Sequence, residues 1–259
     1  GLCLLMLSPF IWMIGASFKK EADVMKQGIG LFPTYWYPQN YLRVLGFAGK
    51  TNYHFLQGYW NSIKVAAISA LVAGISSCLA GYAFAKLKFR GSNVLFLLYL
   101  SQMMIPSQLT LIPRFVIFSA VGLVNTHWAL ILPKVVAVSA TFMMRQAFLG
   151  TSEELREAAK IDGANNWQLF TKIKLPNLRQ LIIIIFMMRT MDAFRLFDRV
   201  NVTTGGGPGI STETLAIYNY TTTFTKLRVG RGCAIGVITL IILAVIINVI
   251  MKVLRVKEV

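Results

Sequence analysis

The stretch GCAIGVITLIILAVIINVIM, residues 232–251, contains no charged side chain. A helix of about 20 apolar residues crosses the hydrocarbon core of a bilayer, which is about 30 Å thick, so this stretch predicts a transmembrane helix. The composition of the whole chain agrees, because 56% of its residues are hydrophobic and only 14% are charged. Soluble domains carry about a quarter charged residues, so lipid is the expected solvent for much of this protein.

Other long apolar segments predict more spans of the same kind. Together with residues 232–251 they give an all-α, polytopic membrane protein with six transmembrane helices in one domain, residues 1–259. The third segment contains Pro106 as an expected kink, and residues 115–128 alternatively form a short re-entrant or interfacial piece. The chain begins at Gly1 without a Met or a charged leader, so we expect an N-terminal tail to be missing. The five further segments are residues 1–18, 65–85, 92–113, 128–148 and a run that begins near Leu178.

The net charge of +16 is explained by a membrane location. Membrane proteins gather Lys and Arg in their cytoplasmic loops. The chain has no aromatic and basic patch of the kind that binds nucleic acid, so nucleic acid is not an expected partner. The basic link 86–90 and the basic tail contrast with residues 119–127, which hold no Lys or Arg. We therefore expect the 86–91 link, the 149–177 segment and the C-terminus in the cytoplasm, and the 19–60 and 199–231 segments outside.

The sequence predicts neither a metal site nor an ATP site. The three cysteines lie inside apolar segments without a C-x-x-C pair, and His54 and His127 are far apart. The glycine run 205–209 lacks the Gly-Lys-Ser/Thr of a phosphate loop, so we interpret it as a tight turn outside the membrane.

The polar stretch EELREAAKIDGA, residues 153–164, predicts a short helix on the cytoplasmic side. Thr151 and Glu154 have the spacing of a capping box, and Gly163 suits the left-handed position that ends a helix. Small and apolar residues between these ends permit close seating against another protein. The stretch is therefore typical of a docking element.

This stretch resembles the EAA loop of ABC importer permeases. The match comprises Glu157-Ala158-Ala159, then Gly163, and then Ile173-Lys174-Leu175-Pro176 at fixed spacing. Asp162-Gly163-Ala164 and Phe170 are similar to the carbohydrate branch. Ser17-Phe18-Lys19 with Asn40-Tyr41 is similar to the maltose-type permease, whereas the glycine run is commoner in the partner permease of such pairs.

The resemblance implies a permease subunit that imports sugars or oligosaccharides by alternating access in the cytoplasmic membrane of a bacterium or archaeon. It implies a second permease subunit, two ATPase subunits and an extracytoplasmic binding protein as partners. ATP and Mg²⁺ would then be bound by the ATPase subunits, with no cofactor on this chain and no catalytic residue. The residues that the resemblance places at the contact with the ATPase are Glu157, Ala158, Ala159, Asp162, Gly163 and Pro176.

Ionisable residues inside the predicted spans are the candidates for the substrate path, because such residues are costly in lipid. Arg189, Asp192, Arg195 and Asp198 follow at three-residue spacing, which would place them near one face of a single helix. They form either an ion-pair ladder or a polar face on the path. Lys134 in the fourth segment adds a further cation, and this excess of basic groups favours an acidic cargo such as a uronate-containing oligosaccharide.

Two alternatives remain open from the sequence. An amino-acid or peptide permease would carry the same coupling loop. A secondary transporter would use the charges of the fifth segment to couple an ion gradient and would need no ATPase.

Overall fold

The computed structural model describes residues 2–26, 30–47, 53–151, 159 and 161–253. Within these residues the regular structure is helical and no strand is present. The predicted all-α fold is therefore confirmed. Glu157 and Ala158 lie outside the described residues, as does Glu154 of the expected capping box.

The described α-helices differ widely in length. In chain order they are α1 (Leu2–Ser17), α2 (Glu21–Lys26), α3 (Gln39–Leu45), α4 (Tyr53–Lys86), α5 (Ser92–Ser101), α6 (Leu111–Ala120), α7 (His127–Ile131), α8 (Val138–Leu149), α9 (Asn166–Gln168), α10 (Leu175–Asn177), α11 (Arg179–Phe194), α12 (Phe197–Thr203), α13 (Leu215–Tyr220) and α14 (Val229–Val253).

Three helical stretches are long and apolar enough to cross a membrane. They are His54–Lys86, His127–Leu149 and Val229–Lys252, the last with a mean hydropathy of 3.0. They correspond to the second, fourth and sixth predicted spans. The first and third predicted spans coincide with shorter apolar helices, and the fifth with the 16-residue helix α11.

Proline interrupts the third predicted span more strongly than expected. A short 3₁₀ turn follows α5 and ends at Met104, Ile105 adopts an extended conformation, and helix resumes only at Leu111. Since the proline ring disfavours helical geometry in the preceding residue, Pro106 ends the helix, and the prediction of a kink within one continuous helix is wrong.

The fourth predicted span is also discontinuous. After α7 a 3₁₀ turn, Leu132–Lys134, leads into three non-helical residues before α8 begins at Val138. The Val135 carbonyl group, which lies in this non-helical break, has a side-chain partner. Ser76 Oγ on α4 donates to the Val135 oxygen at 2.5 Å. Irregular backbone at membrane depth needs such partners, since lipid supplies none.

The chain forms two compact units. The first comprises residues 1–64 and 194–249, and the second comprises residues 65–193 and 250–259. In the first unit Ala16, Val24 and Cys233 form a small buried cluster. The single permease domain expected from the sequence stays a prediction.

The second unit has a larger apolar core, in which α4 packs closely against α8. A Cβ atom built on Gly81 would lie 2.6 Å from the Met144 Cβ, so only glycine permits this approach. Small residues at helix contacts are the expected device in lipid, where apolarity alone does not drive helices together. The buried members of this core are Ala73, Cys78, Ala137, Ala140, Met144, Phe148, Leu178 and Ile185.

Candidate functional site: the 161–178 arm and the membrane charges

Residues 161–178 form a segment that we call the arm. A defined helix end lies at the start of this arm. Gly163 has a φ of +80°, and the Ala164 N–H donates to the Ala159 oxygen at 2.9 Å. This pairing across five residues, with glycine in the left-handed conformation, is the Schellman motif that ends helices. The predicted role of Gly163 as the residue just beyond a helix end is therefore confirmed.

A second helix begins two residues later with a reciprocal cap. The Gln168 N–H donates to the Asn165 side-chain oxygen at 2.8 Å, and the Asn165 N–H donates to the Gln168 side-chain oxygen at 2.9 Å. This arrangement is a capping box, which satisfies two N–H groups at a helix start. Sequence reasoning missed it, although the spacing of Asn165 and Gln168 is the same signal that was used at Thr151.

Aromatic side chains connect the arm to the membrane helices. Phe170, in the π-helical turn Leu169–Lys174, lies with its ring centroid 5.4 Å from that of Tyr82 on α4 and 6.4 Å from that of Phe148 on α8. Tyr82 and Phe148 are themselves in edge contact at 5.4 Å. Because Phe148 is fully buried, the three rings tie the arm to two spans at one point.

The remaining described residues of the predicted coupling set lie at the surface of the arm. Asp162 and Pro176 are exposed, and Ala159 is half-buried. Two large apolar side chains nearby are also exposed: 86% of Ile161 and 71% of Trp167 are accessible to solvent. Trp167 also lines an apolar pocket with residues of α4, and its ring centroid lies 6.1 Å from that of Phe170.

Two of the predicted substrate-path residues, Arg189 and Asp192, form an ion pair in the second unit. Arg189 on α11 donates to Ser139 Oγ at 2.8 Å and lies 3.4 Å from an Asp192 carboxylate oxygen. Its Nε is buried with no hydrogen-bond partner among the described residues. Lys134, at the break in the fourth span, is only 7% exposed.

Arg195 departs from the predicted pattern. Helix α11 ends at Phe194, and α12 begins at Phe197 after Leu196 takes a non-helical ψ of 63°. The prediction that Arg189, Asp192, Arg195 and Asp198 share one face of one helix is therefore wrong. Arg195 and Asp198 belong to the first compact unit, whereas Arg189 and Asp192 belong to the second.

The sequence pattern of one protein family extends over most of this architecture. The family described as "Binding-protein-dependent transport system inner membrane component" matches residues 54–256. The chain belongs to this family. The 161–178 arm therefore lies in a transport permease, and the family prediction made from the coupling loop is confirmed.

Curated relatives of the permease include proteins named for saccharide transport. It is 34% identical to an arabinooligosaccharide transport permease, AraQ, of Halalkalibacterium halodurans, over 73% of this chain and 67% of the relative. It is 30% identical to the lactose transport permease LacG of Rhizobium radiobacter, over 71% and 66%. It is 33% identical to the probable permease YurM of Bacillus subtilis over 65% of this chain, and there it spans only 54% of the relative's length.

Solved structures show the same fold. A bacterial ABC transporter described as importing the acidic polysaccharide alginate matches with a TM-score of 0.81 at 20% identity, over 97% of this chain and 91% of that one. A complex of an alginate transporter with a periplasmic protein bound to an alginate pentasaccharide gives a TM-score of 0.67 at 17% identity, over 100% and 96%. At these low sequence identities, the structural similarity shows a shared fold alone.

The glycine run of the permease forms a tight, well-anchored loop in the first unit. Gly205, Gly206 and Gly209 have positive φ angles, as a tight turn requires. Asn61 on α4 is fully buried and donates to the Ser211 and Glu213 oxygens at 2.7 and 2.9 Å. The interpretation of this run as a tight turn is confirmed, whereas its anchor on Asn61 gave no signal in the sequence.

The two N-terminal motifs of the permease, far apart in sequence, contact each other. Asn40 donates from its side chain to the Ser17 and Lys19 oxygens at 2.9 and 2.8 Å. The Tyr41 and Ser17 hydroxyls are 2.7 Å apart. Burial raises the pKa of Tyr41 above its ordinary value, against the opposing hydrogen bond from Ser17. The motifs that suggested a maltose-type permease therefore form one structural unit.

Proposed function

We propose that this chain is one permease subunit of an ATP-driven importer of sugars or oligosaccharides. It would work with a second permease subunit, two ATPase subunits and an extracytoplasmic binding protein, in the cytoplasmic membrane of a bacterium or archaeon. ATP and Mg²⁺ would be bound by the ATPase subunits, with no cofactor on this chain. The saccharide class follows from the names of the relatives, and alternating access follows from the resemblance.

The proposed coupling role rests on the ring contacts of Phe170 with Tyr82 and Phe148. A helix docked in an ATPase groove transmits movement only if the segment behind it is stiff. The Schellman turn at Gly163 and the cap formed by Asn165 and Gln168 fix two helix ends within a few residues. Closure of the ATPase pair would then move α4 and α8 through the aromatic contact.

The exposed apolar residues mark the face of the arm that would enter the ATPase groove. Ile161 and Trp167 supply apolar area, while Glu157 and Asp162 supply negative charge for cations on the partner. Apolar and aromatic side chains provide most of the energy of such contacts, and the charges set their orientation.

Co-purification of the ATPase tests this role. We expect the native chain to retain its ATPase subunits, and Gly163→Asp or Glu157→Lys to lose them or to uncouple ATP hydrolysis from transport. Gly122→Asp is the matched control, because Gly122 also has a positive φ, +69°, in an open turn at the other end of the spans. Retention and coupling in both variants at the level of the control would contradict the docking role of this loop.

We further propose an acidic cargo. The buried Lys134 and the partly buried Arg189 are two cations of the second unit, and Arg189 pairs with the Asp192 carboxylate. The buried Nε of Arg189 has donor capacity beyond its bond to Ser139. Buried donors of this kind stabilise an anion strongly, because no water competes for them.

Uptake assays with matched neutral and uronate-containing oligosaccharides test the cargo. We expect acidic substrates to be preferred, and Arg189→Gln to reduce their uptake at least tenfold. Arg179→Gln, at the exposed start of α11, is the control for loss of one positive charge. Efficient uptake of neutral sugars alone would exclude the acidic cargo, while leaving the importer assignment unchanged.

A further inference from the structure

An open pocket of about 530 Å³ lies where α4 and α8 end and α5 begins. It is formed in the second unit by the end of α4, the 86–91 link, the start of α5 and the end of α8. Because two stretches that are long and apolar enough to cross a membrane, His54–Lys86 and His127–Leu149, end at this pocket, we expect it at the level of lipid headgroups.

Three cations line this pocket. They are Lys88, Arg90 and Arg145, and none of the residues that line the pocket is acidic. Arg145 is held in place, because its Nε donates to the Phe84 oxygen at 3.3 Å and its guanidinium group lies 4.2 Å from the Phe96 ring centroid. The pocket therefore presents a fixed guanidinium group beside two exposed and adjustable cations.

Exposed apolar side chains also line the pocket. The exposed fractions of Leu87, Phe89 and Leu149 are 53%, 42% and 46%. A soluble anion would gain nothing from these side chains, whereas an amphiphile would place acyl chains on them. The combination of cations and exposed apolar groups in one pocket matches a phospholipid in both of its parts.

We propose that this pocket binds the phosphate headgroup of an anionic phospholipid. Basic pockets between transmembrane helices attract such headgroups, and each Lys or Arg near the surface strengthens binding about fivefold. The bound lipid would fill the space between the ends of α4 and α8, the two helices that also hold Phe170. The proposal depends on the membrane location of the chain and not on its cargo or its ATPase.

Native mass spectrometry of the assembled transporter tests the proposal. The complex is taken from nanodiscs that contain equal amounts of phosphatidylglycerol and phosphatidylcholine, and the retained lipids are counted. We expect preferential retention of phosphatidylglycerol. The double variant Lys88→Gln/Arg90→Gln should reduce that preference about thirtyfold, because two cations are lost, and since both residues are exposed their loss leaves packing intact. Lys252→Gln, an exposed cation on α14, should leave it unchanged.

A second variant and two further measurements distinguish a bound lipid headgroup from a soluble anion and from a contact with the ATPase. Arg145→Gln, which removes one cation, should reduce the preference about fivefold. Equal retention of the two lipids by the native complex, or an equal loss in Lys252→Gln, would overturn the proposal. Displacement of the lipid by millimolar inorganic phosphate would assign the pocket to a soluble anion. Retention only after removal of the ATPase subunits would assign it to the ATPase interface.

Discussion

The ring of Tyr82 on α4 lies edge-on against the ring of Phe170 in the 161–178 arm, with an interplanar angle of 72°. Tyr82 therefore joins a transmembrane helix directly to the segment that follows the coupling motif. Each aromatic pair of this kind contributes about 0.5–1.5 kcal/mol beyond its buried area. Loss of the ring should affect movement of the arm more than the fold of the spans.

For Tyr82→Ala we expect ATP hydrolysis by the assembled transporter to continue while substrate uptake falls several-fold. The physical reason is that the arm can then move without moving α4. The measurement is the ratio of uptake to ATP hydrolysis in proteoliposomes. Tyr82→Phe is the control, because it keeps the ring contacts, and its ratio should remain near the native value. Equal loss of both activities in Tyr82→Ala would instead indicate a general folding defect.

The contact between α4 and α8 at Gly81 gives a prediction about stability. In Gly81→Ala the new Cβ would lie 2.6 Å from the Met144 Cβ and 3.0 Å from the Arg145 nitrogen, so the helices must separate. We expect a loss of about 1–3 kcal/mol, as for other overpacked cores, measured as a lower Tm in detergent. Gly74→Ala is the matched control on the same helix, because nothing lies within 4 Å of the added atom. The control should be neutral or slightly stabilising, since alanine favours helix more than glycine.

The sequence predicted those features that depend on local chemistry. Uncharged apolar runs predicted α14 and the apolar part of α4, and the spacing around Gly163 predicted a helix end that the Schellman hydrogen bond now shows. In both cases a physical rule operates within a few neighbouring residues, which is why a single sequence contains the signal.

The errors concern effects that depend on the surrounding structure. The three-residue spacing from Arg189 to Asp198 indicates one helical face only if the helix continues, and α11 ends at Phe194. Pro106 was expected to be a kink because residues 92–113 carry no charge, yet it ends the helix. Asn61 donates to the Ser211 oxygen, about 150 residues away in the chain, and Phe170 contacts Tyr82, about 90 residues away. No local sequence pattern predicts such distant partners.

The cap at Asn165 predicts a local change in helix stability. Asn165→Ala removes the acceptor for the Gln168 N–H, which costs about 0.5–2 kcal/mol at a helix start. We expect faster amide hydrogen exchange at residues 167–169, with little change in α4 or α8. Asn165→Asp restores a side-chain acceptor and should recover slow exchange. Unchanged exchange in Asn165→Ala would mean that the cap does not stabilise this helix.

The anchor of the glycine loop gives the final prediction. Asn61 donates to two backbone carbonyl groups, and Ser62 Oγ accepts from the Leu215 N–H at 2.9 Å, so adjacent positions on α4 hold the end of the loop. In Asn61→Ala the buried carbonyl groups lose their donor, at a cost of about 1–3 kcal/mol. We expect the 204–214 loop to be cleaved faster in limited proteolysis while the spans stay intact. Asn248→Ala, at an exposed position on α14, removes an amide that bonds only within its own helix as far as the described contacts extend, and it should leave the cleavage rate unchanged. Equal cleavage of the native chain and Asn61→Ala would show that the positive-φ glycines hold the loop without this anchor.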